Sequence, residues 1–161
     1  MQISIREIKK EDNLAIEQVI RTCLIEYGAN HEGTAWADPC LSKLSEVYNS
    51  DESKYWVAID KEKNIVVAGC GIGKLDGKDD TCELQKLYCL KEYRRHGIGK
   101  ELIETAFSYA KEHYKSCYLE TLENMNEAIN LYEKYGFERI KEAITNTGHF
   151  NCDVRYIKYF K

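Results

Sequence analysis

Arg94-Arg95-His96-Gly97-Ile98-Gly99-Lys100 is the segment of this sequence whose residue types and spacing hold the most chemistry. It joins a strand-like run, Glu83 to Leu90, to an amphipathic helical pattern that ends near His113. Gly97 and Gly99 permit a tight turn and a close approach of the backbone to a ligand, with no Cβ in the way. The first N–H groups of the following helix lack intrahelical partners, and its dipole favours negative charge. Arg94, Arg95 and Lys100 add fixed positive charge. Alone, the two glycines also fit an ordinary loop before a helix; beside these cations they suit a diphosphate held by backbone amides. His96 reads as an exposed loop residue offering its backbone N–H.

Other candidate motifs are weaker. Gly69-x-Gly71-x-Gly73 follows a strand-like run, as in a dinucleotide-binding turn, but residues 74–80 are polar turn residues that cannot open the required helix. Glycines inside a strand pattern fit a bulge or close packing. His149-x-x-Cys152 is too little for a structural zinc, which needs four ligands, so no metal is expected. The seven cysteines include no CxxC pair and fall mostly in apolar segments. They read as reduced core residues of a cytoplasmic protein.

Positioning these groups requires a folded host. The 161 residues form one continuous pattern, read as a single domain over 1–161. With 43% hydrophobic and 31% charged residues the composition is that of a soluble globular chain, and no apolar run approaches the ~20 residues of a membrane span. A net charge of −4 argues against general nucleic-acid binding. Hydrophobic periodicity gives a strand over 3–8, then a helix through Ile16, Val19, Ile20, Cys23, Leu24 and Tyr27 that Gly28 stops. Asp38-Pro39 starts a second helix, with Asp38 as cap and Leu41, Leu44, Val47 and Tyr48 as its buried stripe. Strands over 55–59 and 65–72 form a hairpin, residues 76–80 a polar turn, and 83–90 the third long strand. The helix after the glycine loop is followed by a strand over 116–121. A helix capped by Asn124 runs to Gly136, and strands over 137–144 and 153–160 close the chain. The order β-α-α-β-β-β-α-β-α-β-β describes a mixed α/β layer structure.

Two motifs, in this order, resemble the GNAT superfamily of N-acetyltransferases. Arg94-x-x-Gly97-x-Gly99 is similar to that family's Arg/Gln-x-x-Gly-x-Gly/Ala signature, and Leu131-Tyr132-Glu133-Lys134-Tyr135-Gly136-Phe137 to its Leu-Tyr-x-x-x-Gly-Phe motif. The order of elements matches the family's topology over nearly the whole chain. The resemblance implies a GNAT-like fold: a central twisted mixed sheet of about seven strands with about four helices. Its two parallel central strands, here 83–90 and 116–121, splay apart to admit acetyl-CoA. It also implies a primary amine of a small molecule or peptide as acceptor, with direct acetyl transfer. The donor's arm would lie along Leu87, Tyr88 and Cys89, and its pyrophosphate on Arg94, Arg95, His96, Gly97, Ile98, Gly99 and Lys100. Backbone N–H groups near Cys89 would polarise the thioester carbonyl.

The same resemblance gives Tyr132 the part of general acid; a phenol with a pKa near ~10 stays protonated while a thiolate with a pKa near ~8.5 departs. On residue type alone, Tyr132 equally fits a core position beside Ala128 and Ile129. Glu83, eleven positions before Arg94, is the candidate general base, with a solvent-facing strand-end charge as the other reading. The family's usual asparagine position is Met125 here, so Asn126 is the remaining asparagine expected to reach the donor. Tyr27, Trp36 and His149 fall where the family builds its acceptor pocket. A homodimer is compatible with the family. An acyl-CoA-binding module without chemistry would use the same glycine loop.

Overall fold

The computed structural model describes residues 1–161. Strands β2 (Lys54–Asp60) and β3 (Ile65–Leu75) are apolar with hardly a break because both their faces are covered. Side chains alternate across a strand, so Trp56 and Ala58 meet one core while Tyr55 and Val57 meet the other. The first core packs on α3 (Ile98–His113) through Leu102, Ile103, Ala106 and Ala110. The second packs on α1 (Asn13–Glu26) through Ile16, Val19, Ile20, Cys23 and Leu24. The α1 stripe is the one the helical periodicity predicts, and α3 is the amphipathic helix expected after the glycine loop.

The other strands are β1 (Ile3–Glu7), β4 (Lys78–Cys89), β5 (Ser116–Thr121), β6 (Glu138–Ile140) and β7 (Val154–Tyr159). The seven strands form one sheet in the order β1-β2-β3-β4-β5-β7-β6. Every neighbouring pair is antiparallel except β4 and β5, which are parallel. Helices α2 (Leu44–Val47) and α4 (Asn126–Lys134) complete the predicted order. The mixed seven-stranded sheet with four α-helices is the fold the sequence predicts. No helix is long and apolar enough to cross a membrane.

Four local expectations are corrected. Asp38 caps no helix: its carboxylate is drawn to Lys86 Nζ at 2.7 Å and His149 Nε2 at 2.8 Å. Residues 35–37 and 41–43 form short 3-10 turns, and α2 spans only four residues. Leu41, Leu44 and Tyr48 are buried as expected, whereas Val47 is exposed. Asn124 does not cap α4 either, because its amide donates to the Tyr27 carbonyl at 2.8 Å and the helix begins at Asn126. The polar turn narrows to Asp76-Gly77, with Gly77 at φ +75°, so β3 and β4 project as a two-residue hairpin. Lastly, β6 is three residues long, and 141–153 run as an irregular strap back to β7.

Glycines 69 and 71 have a definite task inside β3. A Cβ on either would lie 2.6–2.7 Å from the Tyr55 ring. Their absence of side chains lets that ring lie against the strand, and its hydroxyl donates to the Lys86 carbonyl at 2.8 Å. Lys86 sits at φ +51°, where the β3–β4 register jumps from Gly69↔Tyr88 to Gly71↔Gln85. This is a β-bulge, and it bends β4 at the point where its pairing with β5 has just ended.

Candidate active site

Parallel pairing of β4 with β5 runs from Thr81↔Ser116 to Glu83↔Tyr118 and stops. Beyond Glu83 the two strands diverge, and the β5-facing edge of β4 has no ladder partner. Leu90 N–H binds the Val67 carbonyl on the β3 side, so by alternation the N–H groups of Cys89 and Leu87 point into the gap. A groove of about 420 Å³ opens there. Its walls include Leu87, Tyr88 and Cys89 from β4, Gly97 to Lys100 from the start of α3, and Ala128, Asn130 and Leu131 from α4.

The glycine loop closes one end. Arg95 at φ +64° and Gly97 at φ +80° turn the chain so that α3 starts at Ile98. The Gly97 carbonyl takes the first intrahelical bond from Glu101 N–H at 3.0 Å. The N–H groups of Ile98, Gly99 and Lys100 are therefore left without helical partners. A Cβ added at Gly97 would meet nothing within 4 Å, so this glycine serves backbone conformation, while one at Gly99 would come 3.2 Å from Leu131. The exposed side chains of Arg95 and Lys100 flank these donors. Free N–H groups, a helix N-terminus and two loose cations fit a diphosphate, and the unpaired strand edge fits an amide-bearing arm. His96 is exposed and stands outside the groove.

Arg94 lines the groove, but its guanidinium is engaged elsewhere. Both terminal nitrogens donate to the Glu26 carboxylate at 2.7 Å, and Nε donates to the Cys89 carbonyl at 2.9 Å. It also lies 5.4 Å over the Tyr27 ring. Arg94 thereby ties α1 to the end of β4. Lysine cannot reproduce this planar fork. Arg94→Lys is expected to lower Tm by about 2–6 °C, corresponding to ~1–2 kcal/mol for the lost charged hydrogen bonds. Coenzyme A affinity, measured by calorimetry, should change less than it does when Lys100 is removed.

A second, smaller cavity of about 50 Å³ adjoins the groove, sharing Leu87, Tyr88 and Met125 with it. Here the fold brings Glu83, Tyr132 and His149 together. Glu83 is only 6% exposed. Its Oε1 accepts from Gln85 Nε2 at 2.5 Å, and Gln85 is oriented in turn by the Tyr48 hydroxyl on its Oε1. The other carboxylate oxygen has no protein partner and faces the cavity. Burial pushes the Glu83 pKa up, outweighing the Gln85 hydrogen bond, and the charge of Glu120 adds to the rise. Tyr132 is also 6% exposed; its hydroxyl donates to no protein group, and burial raises its pKa.

The sequence reading missed Glu120, whose side chain is 4% exposed and lines the same cavity. A charged residue within the otherwise buried run of β5 is the signal that points to it. The structure does not bring Tyr27 or Trp36 to this cavity. Tyr27 lines the larger groove beneath Arg94, and Trp36 lies under the Arg21 guanidinium at 4.6 Å. Asn126 is exposed on a shallow recess beside the groove, and the α4 asparagine that lines the groove itself is Asn130. All seven cysteines are free thiols. No group of three or more His, Cys, Asp or Glu side chains is placed to hold a metal ion.

Comparison with known proteins agrees with this geometry. The Acetyltransferase (GNAT) family profile matches residues 16–137. The chain is 43% identical over 156 residues to the uncharacterized N-acetyltransferase YjgM of Escherichia coli (strain K12), covering 95% of this chain and 92% of that protein. A GNAT-family acetyltransferase structure from Staphylococcus aureus Mu50 superposes with a TM-score of 0.86 at 24% identity, covering 99% of this chain and 100% of that one. The PaiA N-acetyltransferase of Thermoplasma acidophilum, solved in complex with coenzyme A, superposes with a TM-score of 0.72 at 18% identity, covering 99% and 100%. With the splayed central strands, the glycine loop and a matching sequence profile in one chain, this protein belongs to the GNAT family of acetyltransferases.

Proposed function

We propose that the protein transfers an acetyl group from acetyl-CoA directly to a primary amine, at the junction of the groove and the smaller cavity. One observation supports this reading above the others: a buried carboxylate and a buried phenol, each with an oxygen free of protein partners, line the one small cavity that adjoins the groove. Bound acetyl-CoA supplies an acetyl group activated as a thioester. The N–H groups of Ile98 to Lys100, with Arg95 and Lys100, hold the diphosphate. Those of Leu87 and Cys89 align the arm and polarise the carbonyl. Glu83 accepts the proton the amine must lose, and its raised pKa brings it nearer to operating pH than an ordinary carboxylate. Tyr132 donates a proton to the sulfur as it leaves, so the nitrogen–carbon bond forms while the carbon–sulfur bond breaks. The two proton shifts are later balanced through solvent.

Calorimetry with coenzyme A, followed by thiol release from acetyl-CoA over a panel of primary amines, tests this reading. Binding with a Kd of about 1 μM to 1 mM and amine-dependent thiol release are expected. Absence of binding overturns the site. Binding without turnover over a broad amine panel assigns the groove to a non-catalytic acyl-CoA-binding module.

A further inference from the structure

We infer that the acceptor is an amine at the tip of an unbranched alkyl chain, and that the site selects against an α-amino group flanked by a carboxylate; this rests on the acetyl-transfer reading above. Three features of the smaller cavity lead there. First, it holds two carboxylates. Glu83 and Glu120 both line it, and Glu83 turns an unpartnered oxygen into it. Glu120 accepts hydrogen bonds from the Tyr118 and Thr147 hydroxyls, with Arg155 Nε 3.8 Å away. A cationic ammonium group is the natural counterpart of this pair.

Second, neither basic side chain that lines the cavity is free to receive a carboxylate beside the amine. Lys86 and His149, which both line the cavity, are held by the Asp38 carboxylate at 2.7 and 2.8 Å. Burial alone would raise the Asp38 pKa, but the hydrogen bonds from His149 and Lys86 outweigh it and hold the carboxyl below its usual range. Arg155 does not line the cavity: its Nε, without a hydrogen-bond partner, lies 3.8 Å from the Glu120 carboxylate, and its Nη1 donates to the carbonyls of Lys141 and Asp153. An α-amino acid would place its carboxylate one carbon from the amine, beside two acidic side chains, with Lys86 and His149 already engaged by Asp38.

Third, the space is narrow. A volume of about 50 Å³, where one water needs ~10–15 Å³, admits only a few non-hydrogen atoms. The strap over 141–153 roofs it through Thr147 on Glu120, His149 on Asp38, and Asn151 N–H on the Gly33 carbonyl at 2.9 Å. A methylene chain ending in an ammonium enters such a slot, and a carbon carrying a side chain and a carbonyl does not.

Lysine provides the test, since it holds both kinds of amine in one molecule. The wild-type protein, acetyl-CoA and lysine should yield Nε-acetyl-lysine with no detectable Nα product by mass spectrometry. The kcat/KM for 1,5-diaminopentane should exceed that for alanine by at least about 100-fold, equivalent to ~2.7 kcal/mol. Glu120→Gln should raise KM for the diamine at least about tenfold and leave the affinity for coenzyme A unchanged. Nα-acetylation, or equal kcat/KM for alanine and the diamine, overturns the inference while acetyl transfer stands. Thiol release with no amine at all overturns both readings together. The wild-type panel decides the matter even where Glu120→Gln fails to fold.

Discussion

Tyr132→Phe is expected to reduce kcat by about 10²–10³-fold while leaving coenzyme A affinity unchanged. The variant removes one oxygen and nothing else. That hydroxyl has no protein partner, so its loss orphans no neighbour. The ring's contacts with Phe137 at 5.9 Å and Tyr156 at 6.4 Å between centroids persist in phenylalanine. Stability should therefore be unchanged, and Tm within a degree or two of wild type would document it. Only proton delivery to the departing sulfur is lost, and general acid catalysis is worth roughly that factor. Burial raises the Tyr132 pKa, which keeps the phenol protonated through the working range, so the acid does not itself set an alkaline limb near neutral pH. Steady-state thiol release, paired with calorimetry, separates kcat from binding. Full turnover in the variant would sink the general-acid role.

Glu83→Gln should lose about 10²–10³-fold in kcat/KM for the amine, and its pH dependence identifies the reason. A base acts in its deprotonated form. The wild-type rate should climb with pH through the Glu83 pKa, which burial places above the ordinary carboxylate range. In Glu83→Gln that limb disappears, leaving only the titration of the amine. Stability should respond in the opposite sense. The folded-state pKa of Glu83 exceeds its unfolded value, so its contribution to stability is greatest below the unfolded pKa and is lost as pH rises through the folded one. At neutral pH the buried carboxylate thus weakens the fold. Glutamine keeps an acceptor for Gln85 without the charge, so Tm of the variant should exceed that of wild type at pH 7, the difference shrinking on acidification. Thermal melts between pH 4 and 8 measure it, and a Tm below wild type at pH 7 would contradict a desolvated carboxylate.

The two largest expected effects thus come from a pair of residues on different elements, one at the last parallel rung of β4 and one on α4. The seven-stranded order, the faces of α1 and α3, and the glycine turn before α3 were legible along the chain. Each is written in local signals: period-2 or period-3.6 hydrophobicity, a helix start, glycines where φ is positive. The signals misled where a residue had a choice of partners. Asp38 has the residue type and the following proline of a helix cap, yet Lys86 on β4 and His149 in the strap hold it from far along the chain. Asn124 heads a capping pattern, yet donates to Tyr27 across 97 positions.

The amino-acid order alone determined the layer architecture and the glycine turn before α3, because backbone conformation there follows from neighbours a few residues apart. Tertiary structure decided the smaller cavity. The slot joins Glu83 and Lys86 from β4, Glu120 from β5, Tyr132 from α4 and His149 from the strap. It also decided that Arg94 grips Glu26 and that Glu120 faces Glu83. Charges and hydroxyls seek whichever partner lies within a few ångströms in space, and separation along the chain puts no limit on which one that is.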